Sequence, residues 1–132
     1  MADLQDVFKQ DPFTIKTILV VEDDLEVSEM LKSILEIFAP YQVMHATNAF
    51  QALHIMRNVQ PDLFLFDYRL PGIDGLELYQ RLHAYKAFAH IPVLFLSAVA
   101  PRDLFEKQHL PSMGKPFEME DLLHKIDKLL PR

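Results

Sequence analysis

Pro61-Asp62-Leu63-Phe64-Leu65-Phe66-Asp67-Tyr68-Arg69-Leu70-Pro71-Gly72 reads as an apolar strand that ends on a carboxylate and breaks at once into a turn. Leu63 to Phe66 is apolar without alternation, the pattern of a strand covered on both faces. Pro71-Gly72 supplies the turn chemistry that follows. Asp67 therefore stands at the carboxyl end of a buried strand, which is where open α/β sheets hold their ligands.

Working outward, two stretches repeat this grammar. Ile18-Leu-Val-Val21 runs into Glu22-Asp23-Asp24, and Val93-Leu-Phe-Leu96 runs into Ser97. A fourth piece, Gly114-Lys115-Pro116-Phe117, places a lysine just ahead of a proline and a helix. Between them the period changes to that of helices. Leu25, Val27, Met30, Leu31, Ile34, Leu35 and Phe38 recur at helical spacing until Pro40. Tyr41 to Ala46 reads as a second strand, followed by a helix capped by Thr47 or Asn48, with Ala49, Ala52, Leu53, Met56 and Val59 inward. Asp74 is the N-cap expected for a helix bearing Leu76, Leu78, Tyr79, Leu82 and Tyr85. Pro101 opens a brief helical segment to about Gln108, and Leu110 to Met113 is a short fifth strand. The last helix, Glu118 to Leu130, has acids in its first turn and Lys125 and Lys128 late, as the helix dipole favours. Its apolar stripe is Met119, Leu122, Leu123, Ile126 and Leu130. Phe88, Phe105 and Phe117 fit either the core or a partner contact.

Strand and helix alternate five times with short connections, which implies a doubly wound α/β fold with a parallel sheet and right-handed crossovers. The flavodoxin-like strand order 2-1-3-4-5 is the usual five-stranded solution. In that order the first and third strands are neighbours, so Asp23 and Asp67 meet at one rim.

The totals limit the function. A chain of 132 residues, half of them hydrophobic, is long enough for one domain with a real core. A net charge of -6 argues against direct nucleic-acid binding, since phosphate neutralisation needs lysine and arginine in excess. No cysteine is present, so disulfides, thiol chemistry and cysteine-ligated zinc are excluded. The apolar runs are too short to span a bilayer, and the acidic start is no signal peptide, so a cytoplasmic location is expected without membrane insertion. His45, His54, His83, His90, His109 and His124 show no paired metal spacing, and none is expected beside a strand-end acid.

Three carboxylates a few ångströms apart repel one another unless a cation or protons intervene. Oxygen ligands with room for water suit Mg²⁺, which also binds phosphate oxygens. Phosphoryl transfer to a carboxylate needs mostly positioning and charge neutralisation, for which an ammonium (Lys115) and a hydroxyl (Ser97) are on hand. Singly, each of these residues has an ordinary explanation as helix cap, turn former or solvated charge. Together, in order, each at a strand end, they point to one site.

The set Ile-Leu-Val-Val-Glu-Asp-Asp, Pro-Asp-Leu-Phe-Leu-Phe-Asp-Tyr-Arg-Leu-Pro-Gly-Ile-Asp-Gly, Leu-Ser-Ala and Gly-Lys-Pro-Phe resembles the receiver domain of two-component response regulators (CheY-like). The resemblance covers about residues 16–131, giving a receiver domain over 16–132 after an extension of residues 1–15. It implies that Asp67 accepts a phosphoryl group from a histidine of a sensor kinase or a histidine phosphotransfer protein. It implies Mg²⁺ held by Asp23, Asp67 and the backbone carbonyl of Arg69, with Glu22 acting through water. Ser97 and Lys115 would contact the phosphoryl group, and the Lys115–Pro116 bond would be cis. Asp74-Gly75 matches the family's loop after the acceptor, as a structural feature. The output is then a switch in protein–protein contacts, and the chain is a signalling module rather than an enzyme.

Two departures are visible. The interval from Ser97 to Lys115 is about one helical turn (~4 residues) shorter than the family pattern, so the fourth helix should be short or irregular. The family's aromatic switch position is filled by Ser112, which predicts intact phosphorylation chemistry with an atypical output. Arg69 and Val99 occupy positions that, by the resemblance, tune the lifetime of the phospho-aspartate. Two other readings compete. One is a receiver-fold binding module that works without phosphorylation. The other is a Mg²⁺-dependent phosphatase passing through an aspartyl-phosphate, against which Arg69 stands where such enzymes of the haloacid dehalogenase type carry a second aspartate.

Overall fold

β3, Leu63–Asp67, lies at the centre of a five-stranded parallel sheet in a computed structural model that describes residues 15–38, 40–98 and 102–130. β1 (Thr17–Val21) and β4 (Val93–Ser97) flank it, with β2 (Gln42–Ala46) and β5 (Ser112–Gly114) at the two margins. The order is β2-β1-β3-β4-β5 and every pairing is parallel, as the alternation predicts.

Successive side chains of a strand point to opposite faces, so an uninterrupted apolar strand needs cover on both. α1 (Leu25–Phe38) and α5 (Met119–Leu129) cover Ile18, Val20, Leu63, Leu65, Leu94 and Leu96 on one side. α2 (Ala49–Ile55), α3 (Gly75–His83) and α4 (Arg102–Lys107) cover Leu19, Val21, Phe64, Phe66 and Phe95 on the other. A short 3₁₀ turn, Lys86–Phe88, follows α3. The caps are local and readable. Asn48 accepts from the amide of Gln51, and Asp74 accepts from the amide of Glu77.

The structure corrects several details. Leu25, Met30 and Phe38 of α1 are exposed, as are Leu53 and Tyr85, so the buried stripes are narrower than the periodicity implies. α2 ends at Ile55, before Val59, and Ile55 packs on the core instead of Leu53. Phe105 is a core residue, stacked on Phe95 at 4.9 Å between ring centroids and edge-on to Tyr68 at 5.7 Å. α4 is short, as the compressed Ser97–Lys115 interval requires. β5 starts two residues later than expected because His109 adopts a left-handed φ of 55° and the amides of His109 and Leu110 still cap α4. Along the outer margin of β5, Lys125 Nζ donates to the Ser112 carbonyl at 3.0 Å. Residues 1–14, Val99 and Pro101 lie outside the described residues, and with them most of the expected N-terminal extension.

Candidate functional site

Because the strands are parallel, their carboxyl ends share one rim, and the register there is set by Val21 facing Phe66 and Asp67 facing Leu96. Glu22 and Asp23 continue β1 beside Asp67. Carboxylate oxygens of Glu22, Asp23 and Asp67 all lie within 4.8 Å of one another. Glu22 is buried, Asp67 half-buried and Asp23 exposed. The third acid, Asp24, has another task. Its Oδ1 accepts from the amides of Glu26 at 2.9 Å and Val27 at 3.3 Å, capping α1.

Lys115 reaches this cluster from the far margin. Its amide donates to the Ser97 carbonyl at 3.0 Å, which fixes the end of β5 against β4. Its Nζ then lies 2.7 Å from Glu22 Oε1 and 3.3 Å from Asp67 Oδ2. The Lys115–Pro116 peptide is cis, as the family resemblance implies. Ser97 ends β4 beside Asp67 and is buried. The amide of Arg69 donates to Asp67 Oδ1 at 3.3 Å, while its side chain is exposed and forms no ion pair among the described residues. Gly75 has no room for a Cβ, which would fall on the Asp67 carbonyl oxygen. The start of α3 is thus pressed against the acceptor strand, and the Gly75 amide donates to the Tyr68 carbonyl at 2.7 Å. Ser112 is half-buried and lines, with Phe105, Lys115 and Phe117, a cleft of about 810 Å³.

The electrostatics are those of a buried carboxyl crowded by a second one. Burial, then the neighbouring Asp67, pushes the Glu22 carboxyl up to about 8 against the pull of Lys115. Burial lowers the Lys115 ammonium, but Glu22 and Asp67 outweigh it and the net shift is upward. Glu22 Oε2 is buried without a hydrogen-bond partner among the described residues. Two residues escape a reading of spacing alone. The first is Glu22 as the nearest partner of Lys115. The second is His45, whose Nε2 lies 2.9 Å from the Glu22 carbonyl oxygen. The expectation that no histidine stands beside a strand-end acid is therefore corrected. The strand order carried the signal, since His45 precedes the end of β2 by one residue and β2 pairs with β1.

The chain belongs to the response regulator receiver domain family, whose model matches residues 18–127. It is similar to the phosphate regulon transcriptional regulatory protein PhoB of Pseudomonas aeruginosa, 34% identical over 121 residues, covering 89% of this chain and 52% of that protein. It is also similar to sporulation initiation phosphotransferase F of Bacillus subtilis, 31% identical over 120 residues, covering 86% of this chain and 93% of that one. The chain thus spans about half the length of PhoB and nearly all of the smaller relative. Among solved structures, a CheY-like response regulator receiver domain protein of Methanospirillum hungatei superposes with a TM-score of 0.77 at 31% identity, covering 87% of this chain and 93% of that chain. The receiver domain of a sensor histidine kinase of Pseudomonas aeruginosa shares the fold, with a TM-score of 0.77 and 24% identity over 88% of this chain and 98% of that one. That structure has magnesium coordinated in its active-site cleft. The protein is therefore a receiver domain of two-component signalling, a signalling module, and the phosphatase reading is not favoured. Among the described residues, no helix is long and apolar enough to cross a membrane.

Proposed function

We propose that Asp67 is the phospho-acceptor of this receiver, taking its phosphoryl group from a histidine of a sensor kinase or histidine phosphotransfer protein. The observation that carries this is the convergence of three carboxylates within 4.8 Å with one lysine that reaches two of them. An Asp67 carboxylate oxygen would bond to phosphorus as the bond from phosphorus to the donor's ring nitrogen breaks. Lys115 Nζ, already beside Asp67 Oδ2, would neutralise a phosphoryl oxygen, and the Ser97 hydroxyl would donate to another.

Receiver domains bind Mg²⁺ in their acidic cleft, and the residues here fit that ion. They form an all-oxygen cluster, with a buried Glu22 oxygen that has no partner among the described residues and a carboxyl pushed up by burial and by the neighbouring Asp67. Asp23, Asp67 and the Arg69 carbonyl would hold it, with Glu22 acting through water. When bound, Mg²⁺ would supply charge neutralisation for the incoming phosphoryl oxygens. We take residues 16–132 as the receiver unit, acting in the cytoplasm through protein partners. The net charge of -6 over the whole chain supports a protein target over nucleic acid.

Intact-mass spectrometry after incubation with acetyl phosphate and Mg²⁺ tests the reading, beside Asp67→Asn. One labile phosphoryl adduct is expected in the native chain, and none without Mg²⁺ or in the variant. An adduct retained by Asp67→Asn would move the acceptor elsewhere. No adduct from acetyl phosphate or from a kinase donor would favour the phosphorylation-independent module.

A further inference from the structure

The hydrogen-bond ladder between β1 and β2 runs out at the acidic loop. Its last rung is the Glu22 amide donating to the Ala46 carbonyl at 3.0 Å. A parallel ladder would next bond the Glu22 carbonyl to the amide of Asn48. At Asn48, however, the chain has already turned away to cap α2. The Glu22 carbonyl is served instead by a side chain, the His45 imidazole, whose Nε2 lies 2.9 Å away. A carbonyl can only accept, so Nε2 carries the proton. His45 faces Val20 in the register, on the α1 side of the sheet, and is half-buried there.

We infer that His45 is a positioning residue for the cation site, orienting the peptide that joins Glu22 to Asp23. The Glu22 carbonyl and the Asp23 amide are parts of one rigid plane. Fixing the oxygen fixes the direction in which the chain reaches the Asp23 Cα, and so where the Asp23 carboxylate is presented. Glu22 is thereby gripped at both ends. Its carboxylate is held from β5 by Lys115 at 2.7 Å, and its carbonyl is held from β2 by His45 at 2.9 Å. The two holds come from opposite margins of the sheet. Of the acids in the cluster, Asp23 is exposed, and with no burial to hold it the peptide before it supplies its constraint. This inference rests on the reading of Glu22, Asp23 and Asp67 as a Mg²⁺ site.

The test compares the native chain with His45→Leu, which keeps bulk and loses the donor, and with His45→Gln and His45→Asn. The Gln amide nitrogen falls where Nε2 stands, whereas that of Asn falls where Nδ1 stands. Mg²⁺ affinity is read by titration of backbone amide resonances, and thermal unfolding in EDTA is recorded for each variant. Removing an outer partner of a metal site typically weakens binding by 10-fold or more. The expected result is Mg²⁺ binding about 10-fold weaker in the Leu and Asn variants, with Gln within about twofold of native. In the metal-free native chain, imidazole nitrogen resonances should show Nε2 protonated. Equal Mg²⁺ affinity in native and Leu chains overturns the inference, as does an unprotonated Nε2. A loss shared equally by Gln, Leu and Asn, tracking their unfolding temperatures, also overturns it, leaving His45 a merely structural residue. A native chain that takes up no Mg²⁺ defeats the site reading itself, a result distinct from either.

Discussion

Glu22 carries its carboxyl in opposed fields, burial and Asp67 favouring the proton and Lys115 favouring the charge. The balance lifts it from an ordinary 4.5 to about 8. A carboxyl that holds its proton better in the folded chain contributes its full stability below about pH 4.5 and loses it as pH rises to about 8. Lys115, whose ammonium is also held more tightly when folded, stays charged through that window. In EDTA the Tm of the native chain should therefore fall relative to Glu22→Gln as pH rises from about 4.5 to about 8. Parallel Tm–pH curves would show that Glu22 titrates alike in both states. This pairing illustrates the limit of the sequence. Spacing brings Lys115 to the rim, but which carboxylate it favours depends on side-chain reach, and no motif encodes that. His45 is legible only through the strand order, since its bond goes to the Glu22 carbonyl just past the end of the neighbouring β1.

At the scale of elements, α4 is a single short stretch, Arg102–Lys107, far below the length at which a helix is stable by itself. Packing must hold it, and Phe105 is the anchor, 2% exposed and stacked on Phe95. Phe105→Ala should cost about 3–5 kcal/mol in urea unfolding, the range for emptying a large aromatic from a core. A loss below about 1 kcal/mol would mean that the helix closes over the gap. α3 depends on contact of another kind. Gly75→Ala places a methyl on the Asp67 carbonyl oxygen, a backbone atom that cannot swing aside. The expected cost is about 1–3 kcal/mol, with slower formation of the acetyl phosphate adduct because the acceptor strand must shift. An adduct rate equal to native would uncouple α3 from the acceptor. The strands β1, β3 and β4 were legible because each is an apolar run bounded by proline or acid. β5 was displaced by two residues because its start is decided by the left-handed turn at His109, an unusual choice for that conformation. Periodicity also overstates the width of the buried stripes. At α1, Met30 meets the helical period yet faces solvent, since periodicity marks a face without saying how much of it is covered.

For the molecule as a whole, the site exists only in the folded chain, since its lysine and its buried acid are 93 residues apart. A cation that binds the assembled cluster and not the unfolded chain must stabilise the fold by mass action, about 2.7 kcal/mol at a hundredfold excess over its Kd. Mg²⁺ should accordingly raise the Tm, EDTA should reverse the rise, and Asp23→Asn should remove most of it. A Tm indifferent to Mg²⁺ at millimolar levels would deny the site any useful affinity. The sheet that assembles this site also has two unequal outer margins. β2 pairs with β1 through Gln42, Met44 and Ala46, which turns the backbone of Val43 and His45 outward over a strand of five residues. At the opposite margin β5 has only three residues, and the outward carbonyl of Ser112 is already occupied by Lys125. Among the described residues, then, a foreign strand laid along β5 would find little to zip onto, and the longer β2 offers the better edge for chain-to-chain sheet extension.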